Sequence, residues 1–445
     1  MIDTSAFQGK RAAYYTLGCK LNFSETSTFG RMLSDMGVVT AGENESADIC
    51  IINTCSVTDV AEHKCRQAIR RMINKHPNAF VIVTGCYAQL SPNTISKIDG
   101  VDLIIGSNEK AQLIDFLNNA WQKDKTTPYV HTVSTKEIKS FAPSCERGDR
   151  TRYFLKVQDG CDYFCTYCTI PFARGFSRSP SIESLVKQAR KAAEEGGKEI
   201  VLTGVNIGHF GAHTSETFLD LVKELDKIEE IKRYRISSLE PDLIDDKLIE
   251  YCSTSRAFMP HFHIPLQSGS DHVLKLMHRR YDTTLFRHKV NLIKHLMPSA
   301  FIGVDVMVGT RGEQPEHFEE TFQFLSSLDI SQLHVFPYSE RPGTAALKIP
   351  YIVDELEKKR RSNILIKLSE EKNQNFYAKH IGQNAEVLFE KSRRGRSMNG
   401  FTKNYIRVEL PASEAREEYD NQLKIVSLEG FNNNKTALKA KIIKN

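Results

Sequence analysis

The stretch Gly160-Cys161-Asp162-Tyr163-Phe164-Cys165-Thr166-Tyr167-Cys168 limits what this chain can become more than any other. Its three cysteines form a C-x3-C-x2-C run directly after a strand-like segment, 153–157. Thiolates so closely spaced on one loop can converge on a single metal centre. Structural zinc is closed by four ligands, usually in two separated pairs, and short cysteine clusters often bind it. Here there are three thiols and no obvious fourth ligand close by in sequence. Iron–sulfur clusters are held by closely spaced runs of this kind. Three thiolates on a four-iron cluster would leave one iron open to a small chelating ligand. Zinc stands as the alternative.

A chain of 445 residues exceeds one typical domain, so two or three are expected. Core-forming apolar runs recur along it, which excludes a disordered protein. None is long enough to span a bilayer. The opening Met1-Ile2-Asp3-Thr4-Ser5 lacks a basic-then-apolar signal pattern. A cytoplasmic monomer with no membrane partner is therefore expected. In a reducing compartment, cysteines in motifs are read as metal-binding or catalytic. Cys50, Cys65, Cys145 and Cys252 lie outside any motif and are read as small hydrophobes. The net charge of +5 is concentrated in the tail: residues 379–445 hold 13 Lys or Arg against 8 Asp or Glu. A basic tail suits a polyanion, although a solvated basic face has the same composition.

The fold class is α/β. Residues 10–140 alternate strand-like runs (12–17, 49–53, 80–84, 103–105, and a weaker one at 38–39) with helix-like stretches at 25–36 and 60–74. Such alternation predicts an open parallel α/β sheet. Three of these strands finish alike, in Leu17-Gly18-Cys19, Asn53-Thr54-Cys55 and Thr84-Gly85-Cys86. Ligands gather beyond the carboxyl ends of parallel strands, so Cys19, Cys55 and Cys86 would share one rim. Three unrelated buried cysteines are the alternative. A polar stretch, 136–152, leads into a second βα region with strands at 154–157, 199–203, 233–237, 261–265, 301–307 and 333–337. Six units predict a partial (βα)6 barrel whose site sits at the strand C-termini. Gly204, Asn206, Glu240, Gln267, Ser268 and Asp305 follow or end these strands and suit its mouth, although each has a plain reading as a turn or cap residue. Segment 353–378 reads as one long helix leading away from the barrel. Short strands at 385–390, 405–410, 422–427 and 437–443, with turns at Gly395, Gly400 and Gly430, predict a small C-terminal β-barrel. There Arg393, Arg394, Arg396 and Lys403 lie near Phe401 and Tyr405, a pairing that can meet phosphates while rings stack on bases. The expected domain limits are 10–140, 146–378 and 379–445.

The whole arrangement resembles the radical S-adenosylmethionine methylthiotransferase family over nearly its full length. The residues that carry the resemblance are Thr16-Leu17-Gly18-Cys19-Lys20-Leu21-Asn22, Asn53-Thr54-Cys55-Ser56-Val57-Thr58, Val83-Thr84-Gly85-Cys86, and Gln158-Asp159-Gly160-Cys161 through Ile170-Pro171-Phe172-Ala173-Arg174-Gly175. The resemblance implies a radical-SAM barrel between an N-terminal cluster domain and a C-terminal TRAM domain, a small RNA-binding β-barrel. It implies two 4Fe-4S clusters, one on Cys161, Cys165 and Cys168 and an auxiliary one on Cys19, Cys55 and Cys86. S-adenosylmethionine would bind the open iron of the first and be cleaved to a 5′-deoxyadenosyl radical that takes hydrogen from adenine C2. The auxiliary cluster would carry the sulfur that is methylated and inserted. By family analogy Tyr167, Gly204, Asn206, Gln267 and Asp305 would contact the cofactor. The motif with Lys20 is most similar to the branch that modifies N6-threonylcarbamoyladenosine at position 37 of tRNA, beside the anticodon. Either Arg174 or Lys20 could then face the threonyl carboxylate, and a structural ion pair or a solvent-facing charge is the alternative for each. A sister branch acts on isopentenyladenosine and a third on a ribosomal-protein aspartate; a non-enzymatic metal-containing RNA-binding module is the remaining alternative. The expected partners are the tRNA anticodon stem-loop and a reducing electron donor.

Overall fold

The computed structural model describes residues 5–121, 127–148, 150–392 and 396–443. The N-terminal strands are β1 (Arg11–Thr16), β2 (Val39–Thr40), β3 (Ile49–Thr54), β4 (Phe80–Gly85), β5 (Leu103–Ile105) and β6 (Tyr129–His131). They form one sheet in the order β2-β1-β3-β4-β5-β6, parallel throughout. β3 and β4 are buried at every position because they lie at the centre of a sheet covered on both faces. The helix Lys20–Ser34 starts five residues earlier than the expected position 25. Its first turns bury Asn22, Ser24, Glu25 and Thr26, so apolar periodicity does not mark them. The helix Asp59–Lys75 is capped by Thr58, whose side chain accepts from the Ala61 N–H.

The central region holds β7 (Cys145–Glu146), β8 (Tyr153–Lys156), β9 (Glu199–Thr203), β10 (Arg233–Ile236), β11 (His261–Gln267), β12 (Phe301–Val308) and β13 (Gln332–Pro337). β8–β9–β10 and β11–β12–β13 are parallel runs, and β7 adds to β8 antiparallel. A parallel bridge, Ser238 to His263, carries the curve from one run to the other. The six parallel strands match the expected partial barrel. Tyr234, Ile236, Ile264, Leu266, Ile302, Val304 and Val306 pack outward into the large core. By strand alternation Arg233, Arg235, His263, Gln267, Asp305, Met307 and His334 then line the inner face.

The helix Glu355–Ala378 does not lead away from this barrel. It runs along β13, where the Ser369 hydroxyl accepts from the Leu333 N–H and donates to the Leu333 carbonyl, both at 2.9 Å. A serine thereby satisfies backbone groups on an edge strand. The tail forms β14 (Asn384–Phe389), β15 (Met398–Thr402), β16 (Arg407–Leu410), β17 (Leu423–Phe431) and β18 (Leu438–Ile442), closed in the order β14-β15-β16-β18-β17. β15 escaped the sequence reading because Gly400 was given to a turn. Gly400 lies inside the strand, where a Cβ would come within 2.5 Å of Val387 and 2.7 Å of the Leu388 carbonyl. Gly430 likewise belongs to β17.

Two polar joints hold the three layers together. At the first, the turn after β15 seals the N-terminal end of the central barrel. Arg235 donates to the Thr402 and Lys403 carbonyls, and Arg233 to those of Phe401 and Glu386. The Phe401 and Tyr405 rings stack at 4.7 Å, with Arg152 and Arg235 over them and His261 against Tyr405. These rings are therefore committed to docking, not free to stack on bases. At the second joint, the helix Lys20–Ser34 meets β8. Glu25 takes Lys110 at 2.6 Å, Arg174 at 3.0 Å and Lys156 at 3.2 Å. Asp159 takes Lys156 at 2.7 Å, Arg174 at 3.1 Å and Arg178 at 3.2 Å. Among the described residues no helix is long and apolar enough to cross a membrane.

Glu25→Ala would leave three buried cations without their shared anion. Removing one partner of a buried ion pair costs on the order of 3–5 kcal/mol. The expected result is a clear fall in the thermal midpoint, with Glu25→Gln retaining the shape and still losing most of the stabilisation. An unchanged midpoint would show that this joint adds nothing to stability.

Candidate active site

The loop after β8 carries the three central cysteines, and the side chain before it holds it in place. Gln158 is fully buried; its Nε2 donates to the Asp159 and Gly160 carbonyls and to Ser177 Oγ. Its Oε1 accepts from the Val205 and Asn206 N–H groups after β9. Gly160 has φ +74°, and a Cβ there would lie 1.9 Å from the Phe176 carbonyl, so the close approach of two backbones requires glycine. The Asp159 and Arg178 backbones exchange two hydrogen bonds, and Thr166 is tied to the Leu276 and Met277 carbonyls.

The thiols converge: Cys168 feels both Cys165 and Cys161 electrostatically, and Cys161 feels Cys165. Asn206 Nδ2 lies 3.9 Å from Cys161 Sγ, Arg279 Nη1 3.1 Å from Cys165 Sγ, and the Ile170 N–H 3.4 Å from Cys168 Sγ. Burial pushes Cys161 up to about 11 and Cys168 up to about 12. These are poor free nucleophiles. Ligation by a metal supplies the missing reason for three such thiols, because it drives their deprotonation. Arg279 pairs with Glu240, whose carboxyl burial still raises to about 7.

Cys19, Cys55 and Cys86 follow the adjacent strands β1, β3 and β4, as the sequence led us to expect. Cys55 is influenced by both Cys86 and Cys19, and burial raises it to about 12. Gly18 at φ +105° and Gly85 at φ +102° turn the chain at the strand ends; a Cβ on Gly85 would lie 2.3 Å from the Thr54 carbonyl. Asn22 staples the rim, donating to the Leu17 and Thr54 carbonyls. Cys19 is the N-cap of the helix Lys20–Ser34, a position whose dipole favours a thiolate. Both sets of thiols thus fit three-cysteine clusters. Of the remaining cysteines, Cys50, Cys65 and Cys252 are buried and Cys145 half-buried. Cys65 merely exchanges hydrogen bonds with the Cys55 backbone.

The other expected residues divide. Tyr167 lies beside Arg279, with its hydroxyl 3.5 Å from Nη1. Asn206 contacts Cys161, and its buried Oδ1 has no partner among the described residues. Gly204 lets the chain pass Gln158, whose carbonyl a Cβ would approach to 2.7 Å. Gln267 ends β11 at φ +68°, beside a register shift. Asp305 faces the lumen and bonds His263 at 2.7 Å. Lys20 stands exposed beside Cys19, and its charge acts on Asp305 and Tyr405. Arg174 is different: it is fully buried and spent on Glu25, Asp159 and Asn22. It is an ion-pair member rather than a free carboxylate receptor, and its charge favours the Cys19 thiolate. Arg393 and Arg394 lie outside the described residues. Arg396 is exposed, and Lys403 approaches Glu386 at 3.8 Å. Sequence reasoning missed Gln158, Arg279, His263 and His334 as site-building residues. Gln158 and His263 had a signal, in that each sits on or beside a strand whose end carried another candidate. Arg279 had none, since Arg279-Arg280 follows a helix and reads as a surface pair.

Two family models match the chain. The Radical SAM superfamily model covers residues 155–325, and one described as uncharacterized protein family UPF0004 covers residues 11–106. With the three-thiol loop above a six-stranded parallel barrel, they define a radical S-adenosylmethionine enzyme, a class that uses S-adenosylmethionine and a 4Fe-4S cluster. The radical S-adenosylmethionine methyltransferase TsrM from Kitasatospora setae, solved with cobalamin and a 4Fe-4S cluster bound, shares the fold with a TM-score of 0.56 and 13% identity, over 76% of this chain and 77% of that one. Threonylcarbamoyladenosine tRNA methylthiotransferase MtaB of Bacillus subtilis (strain 168) is 37% identical over 90% of each chain. The protein of the same name from Aquifex aeolicus (strain VF5) is 38% identical over 85% of this chain and 92% of its own. The tRNA-2-methylthio-N(6)-dimethylallyladenosine synthase of Protochlamydia amoebophila (strain UWE25) is 31% identical over 84% of each. The chain belongs to the MtaB-like radical S-adenosylmethionine methylthiotransferase family.

Gln158→Leu keeps the side chain's bulk and removes all five hydrogen bonds that fix the cluster loop. Loss of such supporting contacts typically weakens metal retention about ten- to a hundredfold. Iron and sulfide per chain after desalting should fall below the wild-type level; equal content would relieve Gln158 of this role.

Proposed function

We propose that this protein inserts a methylthio group at C2 of N6-threonylcarbamoyladenosine at position 37 of tRNA. The observation that carries this reading is the near full-length similarity to two enzymes named for that nucleoside. Lys20 supports it, as a solvent-accessible cation beside a candidate cluster ligand, with its charge felt by Asp305. In this reading residues 10–140 hold the auxiliary 4Fe-4S cluster on Cys19, Cys55 and Cys86. Residues 146–378 form the barrel around the cluster on Cys161, Cys165 and Cys168, and residues 379–445 are the RNA-binding unit. The protein works in the cytoplasm, on the anticodon stem-loop, and takes electrons from a reducing donor.

When bound, the clusters and S-adenosylmethionine supply the radical and the sulfur. The chain's own residues place the reactants. Gln158 and the Asp159–Arg178 ladder fix the central loop. Asn206, Tyr167, Gly204 and Gln267 border the cofactor, while Asp305 is turned to His263. Arg174, Glu25 and Asn22 lock the two thiol sets at a constant separation, so that a base between them is held in reach of both. That base must leave the anticodon loop, which costs least in a single-stranded segment. Phe164, Phe172 and Phe176 stand exposed around the cluster loop, with ring centroids 6.0 Å from Phe164 to each of the others. They take over the base-stacking role that Phe401 and Tyr405 cannot perform. Arg396, Lys403 and the arginines at 393 and 394 would meet phosphates.

Purified, cluster-loaded protein should be offered tRNA carrying threonylcarbamoyladenosine, isopentenyladenosine or unmodified adenosine at position 37, with methylthio products quantified by mass spectrometry. Turnover on the first and little on the other two is expected. Preferential modification of the isopentenyl substrate would move the protein to the sister branch.

A triple Cys19, Cys55 and Cys86 to Ala protein should lose about half its iron, as one of two cysteine-held clusters would. It should still form 5′-deoxyadenosine and release no methylthiolated product. Continued product formation would mean that sulfur arrives by another route.

A further inference from the structure

Below the cluster loop, the inner face of β11, β12 and β13 gathers a polar group that neither cluster uses. His263, Asp305 and His334 each offer one side-chain atom, and these atoms lie within 4.8 Å of one another. Asp305 Oδ1 and His263 Nε2 are 2.7 Å apart, and the two imidazole centroids are 5.0 Å apart. The His334 ring makes no hydrogen bond among the described residues, and Asp305 has an oxygen to spare. Lys20, beside Cys19 at the start of its helix, is solvent-accessible, and its charge reaches the same group. Its ammonium has no ion pair or hydrogen bond among the described residues, yet its charge acts on Asp305, His334, His261 and Tyr405. Burial depresses the His334 imidazole below its usual range.

Two histidines and a carboxylate are also the ligand set of many divalent-metal sites. Here the field opposes a cation. Lys20 is unpaired, and the ligand atoms of His263 and Asp305 already bond each other. The nearby arginines give the group no spare anion, because Arg235 is matched to Glu199 and Arg152 to Glu390. What stands without a partner is the Lys20 ammonium and the His334 ring, donors that a carboxylate can accept from.

We propose that Lys20 and His334, with His263 steadied by Asp305, form the subsite that receives the threonyl carboxylate of the target nucleoside. This rests on the substrate reading above and extends it to named residues. The chemistry of the base agrees. In adenine, C2 and the N6 substituent flank N1 on one edge. A ring that turns C2 toward the two sets of thiols therefore sends its N6 substituent along the barrel wall. Lys20 is the residue next to Cys19, so one end of one helix would mark both where sulfur is delivered and where the substituent ends. The second Asp305 oxygen is available to the threonyl hydroxyl or a urea N–H. A dimethylallyl group would leave all of these groups unpaired, the situation in which a polar site rejects an apolar analogue strongly.

The test is binding, by cluster-loaded full-length protein, of three anticodon stem-loop RNAs. One carries threonylcarbamoyladenosine at position 37, one its carboxamide, and one plain adenosine. The carboxamide keeps the shape and removes the charge. Wild type should bind the carboxylate RNA roughly ten- to a hundredfold more tightly than the carboxamide, the range for a hydrogen-bonded charge. Lys20→Met and His334→Phe should each bring that ratio close to one. Lys20 and His334 lie on different elements, and iron content checks each variant, so a folding defect in one leaves the other informative. A wild-type preference that both variants retain overturns the subsite and leaves the substrate reading standing. No wild-type preference for the carboxylate RNA over plain adenosine removes the substrate reading, and the subsite with it. One equivalent of a non-iron divalent metal, lost in a His263→Ala, His334→Ala double variant, would make the group a metal site and overturn the proposal. So would a raised S-adenosylmethionine requirement for RNA-free cleavage in His334→Phe, which would give the group to the cofactor.

Discussion

Two buried carboxylates, Glu25 and Asp159, hold the molecule's working parts in register. Glu25 belongs to the first helix of the N-terminal sheet and Asp159 to the loop before Cys161, and Arg174 and Lys156 bridge them. A hydrophobic contact of similar area would hold the two units together without fixing their rotation. A bidentate guanidinium between two carboxylates fixes distance and orientation alike. The cost is the desolvation of several ions, which good geometry and further hydrogen bonds must offset. Asn22 supplies one of these, accepting from Arg174 while its own amide group staples the ends of β1 and β3. Four cations share the two carboxylates, and the surplus positive charge lies next to the Cys19 and Cys86 thiols. The joint is therefore also an electrostatic support for thiolates.

The second polar joint explains why the tail is more than an appendage. Arg233 and Arg235 fill the lower end of the central barrel and spend their donors on the carbonyls of Phe401, Thr402 and Lys403 and of Glu386 on β14. The six parallel strands of the central barrel do not close into a ring, and its lower opening would expose buried arginines. The turn after β15 closes it, and the stacked Phe401–Tyr405 pair covers Arg152 and Arg235.

Much of this was legible in the sequence, for stated reasons. The sheet centres are continuous apolar runs, and the three strand-end cysteines recur with the same local pattern, so β3, β4 and the shared rim could be read directly. The polar joints could not. Glu25, Asn22 and Thr26 make the first turns of their helix look solvent-facing, because ion pairs across a buried interface follow no helical or strand period. Arg174 looked like a substrate ligand for the same reason: a charge beside a metal loop reads alike whether it meets a ligand or a carboxylate 149 positions away in the chain. β15 was lost because Gly400 is present for close packing rather than for a turn. The His263–Asp305–His334 group was out of reach, since three strands contribute one residue each and only their register brings them together.

The sealed lower end of the central barrel has a further implication. A vessel closed at its base is filled and emptied through one mouth. The deeper occupant must enter first and leave last. If cofactor and nucleoside both use that mouth, they would not exchange independently: whichever lies deeper would stay until the other withdraws. Sequence of access, usually a matter of kinetics, would then be set by a tyrosine and two arginines at the far end of the chamber from the chemistry.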